Sequence, residues 1–451
     1  MHEFGPDNRS ETHRTLSGDS RPYVALVVQR FHPDIAGGAE QHAWLYARYL
    51  QTTCNVDLLT TTAKDSSTWA NVLPSGVEHA QGVRIVRFPV QGQRDSNWKA
   101  IHDLLLRIYH SRRAEPAPVA YDLQAEDAAP IGVWEHRSTV LDTEYIPWSI
   151  AMQEEWLRRQ GPYSPLLVEY LERHHPVYDA IIYFTYLYAP VYYGSAITPA
   201  SKNYLVPTLH PEPPAYLPIL RRLIRNFRCV LWNTVPEQRL GERIWPESMP
   251  ETDHKIIGMG IDCDPAPPAK LETDYVLYAG RIDAGKGCAE LVEFFIRYSR
   301  EAHNPVRLIL IGTLQMSLPK FDSIEYRGFV EQAEKLALMA GARALLMPSR
   351  VESLSIVSLE AMAQGTPVLA HAGSAVVHGH IENSGAGAIY NDFASFKRGM
   401  DELIQATDGD APERIHKSAM EYVLNNYSHA LIRSRLLRAL FADRQDFEPD
   451  K

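Results

Sequence analysis

Tyr278-Ala279-Gly280-Arg281-Ile282-Asp283-Ala284-Gly285-Lys286-Gly287 ends a short apolar run and breaks into glycines and two cations. Downstream lie Pro348-Ser349-Arg350-Val351-Glu352-Ser353-Leu354-Ser355-Ile356 and Glu360-Ala361-Met362-Ala363-Gln364-Gly365-Thr366-Pro367-Val368. The first stretch reads as a strand, a glycine turn and a helix start. The second reads as a loop running into a helix, with Glu352 in the loop and Glu360 on the helix. Strand, glycine turn and helix in repetition indicate a parallel sheet covered by helices, with chemistry at the carboxyl ends of the strands.

Around this stretch the alternation continues. Strands are predicted at Tyr275 to Ala279, Arg307 to Ile311, Ala344 to Met347 and Pro367 to Ala370. Helices fit Gly287 to Ala302, Glu331 to Ala340, Val357 to Gln364 and Ala394 to Gln405, with two more over Pro412 to Asn425 and His429 to Asp443. Before a proline-rich stretch, Pro265 to Lys270, a first run of the same kind appears. Its strands are Tyr23 to Gln29, Val56 to Thr60, Val83 to Pro89, Asp179 to Phe184, Asn203 to Pro207, Cys229 to Trp232 and Lys255 to Gly258. Its helices are Ala39 to Leu50, Pro214 to Phe227 and Val235 to Ile244. Between them, residues 95–176 form an irregular insertion. It has helical stretches at Lys99 to Arg113, Trp148 to Arg159 and Pro165 to Arg173, and an Ala-, Pro- and acid-rich loop from Ala114 to Pro130.

The expected organisation is therefore α/β, two doubly wound Rossmann-like domains facing across a cleft. Residues 1–20 form a polar tail and 21–264 the first domain. Residues 265–427 form the second domain, and a C-terminal helix within 428–451 crosses back to the first. A chain of 451 residues exceeds one ordinary core and suits such a pair.

With 45% apolar and 22% charged residues the composition is that of a soluble globular protein. A net charge of −10 argues against a nucleic-acid partner. Cys54, Cys229, Cys263 and Cys288 have no metal-ligand spacing and read as reduced thiols. No apolar run reaches the roughly 20 residues that span a bilayer, and the first twenty residues have no apolar signal centre. A cytoplasmic protein is expected. Two basic groups, Arg221/Arg222/Arg225/Arg228 and Arg107/Arg112/Arg113, admit peripheral contact with the inner face of a membrane, or are solvated helix faces.

Arg281 and Lys286, with a helix start behind them, can neutralise a diphosphate. Gly285 and Gly287 let backbone come close to it. Glu360 offers two oxygens to the two hydroxyls of a ribose, and Glu352 can hold a sugar hydroxyl. Amides around Leu354, Ser355 and Ile356 face phosphate from a helix start. The apolar neighbours Leu359, Ala361 and Met362 suggest apolar surroundings for Glu360. Asp262-Cys263-Asp264 and Asp408-Gly409-Asp410 resemble Mg²⁺- or Mn²⁺-binding pairs, but one lies in the linker and the other in a polar turn. Neither is assigned a metal, and no cofactor is expected.

The segment resembles the signature of glycosyltransferase family 4, retaining enzymes of the GT-B fold. The family's Glu-Ser-Phe-Gly, with a second Glu eight positions on in Glu-Ala-Met-Ala-x-Gly-x-Pro-Val, matches at Glu352-Ser353 and at Glu360 to Val368. Leu354-Ser355 replaces Phe-Gly. Arg281 and Lys286 match the family's diphosphate-binding pair. Met259-Gly260-Ile261-Asp262 is similar to its linker element, without Asn and Pro. Gly37 and Gly38 occupy the place of its glycine pair, where amides approach donor or acceptor; Glu40, Gln41 and His42 beside them are placed facing the cleft. His210, in Thr208-Leu209-His210, corresponds to its sugar-contacting His, with Pro211-Glu212 replacing the usual Asp.

The resemblance implies sugar transfer from a UDP- or GDP-sugar to a saccharide or lipid-linked acceptor, in cell-surface polysaccharide assembly. His210, Glu352, Arg281 and Lys286 would be catalytic. Gly37, Gly38, Arg281, Lys286, Glu352, Leu354, Ser355, Ile356 and Glu360 would bind the donor. A nucleotide-sugar epimerase of the same build and a non-catalytic nucleotide-sugar-binding partner remain alternatives. A dinucleotide oxidoreductase is disfavoured, because the Gly37-Gly38 loop lacks Gly-x-Gly-x-x-Gly.

Overall fold

The computed structural model describes residues 21–35, 37–94, 98–104, 149–246, 248–302, 306–405 and 411–442. The Ala114 to Pro130 loop, Arg107, Arg112, Arg113 and the Asp408–Asp410 pair lie outside them. By contacts the chain divides into two compact units. One holds the described residues up to Gly258 together with those from Arg433 on, and the other holds Met259–Ile432. The division falls ahead of the proline-rich stretch.

The first unit carries β1 (Tyr23–Val27), β2 (Asn55–Thr61), β3 (Gly76–Ala80), β4 (Val83–Phe88), β5 (Ala180–Phe184), β6 (Asn203–Val206), β7 (Cys229–Trp232) and β8 (Asp253–Ile256). They form one sheet in the order β3-β4-β2-β1-β5-β6-β7-β8. All pairings are parallel except β3 with β4. Strands β1, β2 and β5 are almost wholly buried; β1 and β5 are the uninterrupted apolar runs that a helix-covered sheet favours, while β2 also buries Asp57, Thr60 and Thr61.

The second unit carries β9 (Tyr275–Ala279), β10 (Arg307–Ile311), β11 (Ile324–Gly328), β12 (Leu345–Met347), β13 (Val368–His371) and β14 (Gly387–Tyr390), in the order β11-β10-β9-β12-β13-β14. Every pairing is parallel. Its core joins Val276, Leu291, Phe295, Leu308, Leu310, Leu346 and Phe396. From β9 the chain builds outward to β10 and β11, then returns to the other side of β9 as β12. The loops that leave β9 and β12 therefore flank a topological switch point, the crevice where open α/β sheets take ligands. The same reversal lies between β1 and β5 in the first unit.

Two expectations need correction. The continuous helix over Pro214 to Phe227 is broken into a 3-10 turn, Pro213–Tyr216, a short α-helix, Pro218–Leu223, and a second turn, Ile224–Asn226. Pro218 lacks an N–H and drives Leu217 out of the helical region, to ψ 133°. The strand placed at Lys255 to Gly258 sits earlier, at Asp253–Ile256, and Gly258 instead turns at φ 80°.

Candidate functional site

β9 ends at Ala279 and β12 at Met347, and the two strands are neighbours. The loops that follow them meet. Asp283 opens the 3-10 turn Ala284–Lys286, and its Oδ1 accepts the Lys286 N–H at 2.8 Å. Its other oxygen pairs with the Arg281 guanidinium. Burial works against ionisation of Asp283, yet the Lys286 amide and Arg281 hold its carboxyl below the usual range. Lys286 in turn reaches across to Glu352, Nζ to Oε1 at 2.8 Å. Arg281, Asp283, Lys286 and Glu352 thus form one chain of charge-assisted contacts over the switch point.

Glycine makes this convergence attainable. Gly287 turns at φ 78°, and a Cβ there would stand 2.6 Å from the Pro348 carbonyl oxygen. Its close neighbour in the fold is the loop after β12.

Ser355 is nearly buried and sits at φ 59°, in the left-handed region that glycine adopts freely. Serine here keeps the backbone turn without the glycine. Its Oγ lies 2.8 Å from Ser358 Oγ. The helix Ile356–Ala363 starts at once; the Ser358 N–H turns back to the Ser355 carbonyl at 3.0 Å, and the N–H groups of Ile356 and Val357 have no acceptor inside the helix. Leu354 is buried, and its carbonyl accepts from His380 Nε2 at 2.8 Å. Nδ1 of His380 then accepts the Tyr422 hydroxyl at 2.9 Å. Burial pushes His380 down to about 4, so the neutral ring carries the loop.

Glu360 belongs to a second cluster, and its surroundings are polar. Lys335 Nζ lies 2.8 Å from Oε1 and 2.9 Å from Oε2, and Gln332 Nε2 donates to Oε1 at 3.2 Å. The apolar neighbours in sequence point elsewhere, because adjacent helix residues do not share a face.

In the first unit Gly37 caps the helix Gly38–Leu50. A Cβ on Gly37 would overlap the Glu40 carboxylate, which folds back on the helix start. Glu40 is buried and accepts from Gln29 Nε2 at 3.1 Å and Arg30 Nε at 2.5 Å. His42 is buried against the Gly258 carbonyl at 3.2 Å, and burial pushes it down to about 3. Glu40 and His42, expected to face a cleft, are committed to the interior of their unit.

His210 is half-buried in a tightly held loop. Thr208 before it takes φ 49°, and Thr185, at the end of β5, takes φ 67°. The two hydroxyls meet at 3.2 Å. β-Branched residues at positive φ are genuine outliers, and such strain gathers at functional sites. Glu237 pins the loop from behind, accepting the Leu209 amide at 2.6 Å and the Asn233 amide at 2.7 Å. Burial pushes Glu237 up to about 8 against the pull of those amides.

Asp264 N donates to Asp262 Oδ1 at 3.0 Å, a local turn in the linker. In the basic group Arg225 pairs with Glu251 at 3.3 Å, while Arg222, Arg225 and Arg228 are exposed.

Asp283, His380, Glu237 and Lys335 escaped the reading of the sequence. Glu237 had a local signal, the Thr-x-x-Glu capping pattern from Thr234. Asp283 acts within its own turn, as the cap of Ala284–Lys286, whereas His380 and Lys335 act across long separations that no local pattern records.

Residues 264–422 match the family described as glycosyl transferases group 1. No protein of curated function matches the sequence. Among solved structures the chain is similar to a sucrose-phosphate synthase from Thermosynechococcus elongatus, at 17% identity and TM-score 0.61, covering 94% of this chain and 100% of that one. It is also similar to an E. coli trehalose-6-phosphate structure bound with UDP-2-fluoro glucose, at 12% identity and TM-score 0.61, covering 93% and 98%. A third is Anabaena Alr3699/HepE in complex with UDP, at 14% identity and TM-score 0.61, covering 93% and 100%.

Proposed function

Because the second unit carries the group 1 glycosyl transferase segment on a GT-B fold, we propose that the chain moves a sugar from a UDP- or GDP-sugar to a saccharide or lipid-linked acceptor, with retention at the anomeric carbon. One observation carries the reading. Arg281, Lys286 and Glu352 converge at the β9–β12 switch point inside that segment. The related Anabaena structure holds UDP and, in another crystal, UDP and glucose.

In this reading the pyrophosphate displaces Glu352 from Lys286 and takes the ammonium and the Arg281 guanidinium for itself. As the sugar–oxygen bond breaks, negative charge grows on the β-phosphate, and both cations stabilise it. Glu352, released, turns to a sugar hydroxyl. His210, braced by Thr208 and the Glu237-held amide of Leu209, takes the sugar-orienting role that the resemblance implies for it. The acceptor hydroxyl attacks on the face the phosphate leaves, and the β-phosphate takes its proton. No step calls on a metal. The role belongs to cell-surface polysaccharide assembly, with the protein in the cytoplasm or at the inner membrane face.

Lys286→Ala and Glu360→Ala should each lower donor consumption with acceptor by about 100-fold or more, the scale of a lost transition-state partner. Near-normal rates in both would overturn the assignment. Turnover of donor alone to an isomeric sugar nucleotide would favour the epimerase instead.

A further inference from the structure

Lys335 is placed where a helix does not want it. It lies in the N-terminal turn of the helix Gln332–Gly341, its amide bonded to the Glu331 carbonyl at 2.9 Å. Cations near a helix N-terminus oppose its dipole. The compensation is Glu360, whose carboxylate receives Lys335 Nζ on both oxygens, at 2.8 and 2.9 Å. Both side chains are largely shielded, 24% and 13% exposed. Gln332, one turn earlier on the same face, adds a third bond, to Oε1 at 3.2 Å.

A carboxylate has about four acceptor directions, two on each oxygen. Lys335 takes one on each oxygen, and Gln332 takes the second on Oε1. One direction is left, on Oε2. A ribose presents two neighbouring hydroxyls, and with these partners kept Glu360 can accept only one of them.

We propose that Lys335 is a specificity-determining residue for the nucleoside: by engaging both oxygens of Glu360 it makes this carboxylate read a single ribose hydroxyl. This rests on the assignment of Glu360 to the ribose. The consequence is an asymmetry. Removing the hydroxyl that Glu360 reads weakens binding, and removing the other does not.

The test is calorimetric, on the full chain. The tightest of UDP, GDP and ADP is compared with its 2′-deoxy and 3′-deoxy forms. A hydrogen bond to a charged group corresponds to a ten- to hundredfold change in affinity, on the order of 1.5–3 kcal/mol. In the unaltered protein one deoxy form should bind ten- to hundredfold more weakly, and the other within about threefold. In Lys335→Met both oxygens are open, and both deoxy forms should lose comparably. Lys335→Arg should restore the asymmetry. In Glu360→Gln the ribo and both deoxy forms should bind alike.

Equal losses in the unaltered protein, or an asymmetry that survives in Lys335→Met, would overturn the role of Lys335. Glu360→Gln with undiminished discrimination would instead remove Glu360 from the ribose and take the proposal with it. Binding of none of the three nucleotides would end both. Thermal midpoints of the variants, taken alongside, separate lost binding from lost folding.

Discussion

Ser355 shows what one residue can absorb. Where the resembling sequences carry glycine, this chain puts a serine at φ 59°. The left-handed region costs an ordinary residue about 1–2 kcal/mol. The loop survives because others hold it, chiefly His380 on the Leu354 carbonyl. That histidine has a pH signature. Its folded value is depressed to about 4, while the unfolded ring titrates near 6.5. Its neutral form therefore supports the fold fully above pH 6.5, and that support drains away as pH falls toward 4. Urea midpoints of the protein and of His380→Gln, converted to free energies, should differ most at pH 7.5. The difference should shrink by about 2 kcal/mol at pH 5, from 1.36 kcal/mol per pH unit. A gap that stays constant across that range would remove His380 from the loop's support. The site was partly legible at this scale. Arg281, Lys286, Glu352 and Glu360 stand in short local patterns, and Asp283 caps the turn beside them, whereas His380 and Lys335 matter through contacts that no local pattern records.

Among the elements, legibility followed position in the sheet. β1, β5, β7, β9 and β10 are apolar runs because both faces are covered. β3, β11 and β14 went unread, and each lies at a sheet edge. β3 and β11 are half-buried or exposed and carry charged residues, so no apolar run marks them, and β14 is only four residues long with Tyr390 alone buried. The glycine turns after β9 and β10 show how close the strand ends come. Gly312 turns at φ 121° with its Cβ position filled by the Gly280 carbonyl, and Gly287 faces the Pro348 carbonyl. Alanine at either position must strain the backbone and push these loops apart, at about 1–3 kcal/mol for the backbone alone. Gly287→Ala should lower the thermal midpoint by several degrees, since 1 kcal/mol corresponds to about 2–4 °C in a domain of this size. A midpoint unchanged within a degree would show that the loop gives way freely.

At the scale of the whole molecule, the two units differ in how the chain supplies them. Met259–Ile432 is one continuous segment. The first unit takes its last helical turns from Arg433 onward, where Leu436, Leu437, Leu440 and Phe441 are buried and the Tyr204 hydroxyl donates to the Leu440 carbonyl at 3.3 Å. Each such side chain contributes about 1.5–3 kcal/mol on burial. Together they approach the whole stability of an ordinary domain, about 5–15 kcal/mol. Ending the chain after Ile432 should strip hydrogen-exchange protection from β1 and β5 while β9 and β10 keep theirs. Equal loss in both units would refute the division. A sequence pattern can mark the closing helix, but not which half it completes.

That arrangement sets an order of events during synthesis. The half that leaves the ribosome first must wait, unfinished, until the half made after it has emerged and the final turns arrive. Throughout that interval its apolar sheet lacks part of its cover, and a cell making this chain in quantity would need chaperones to shelter the early half.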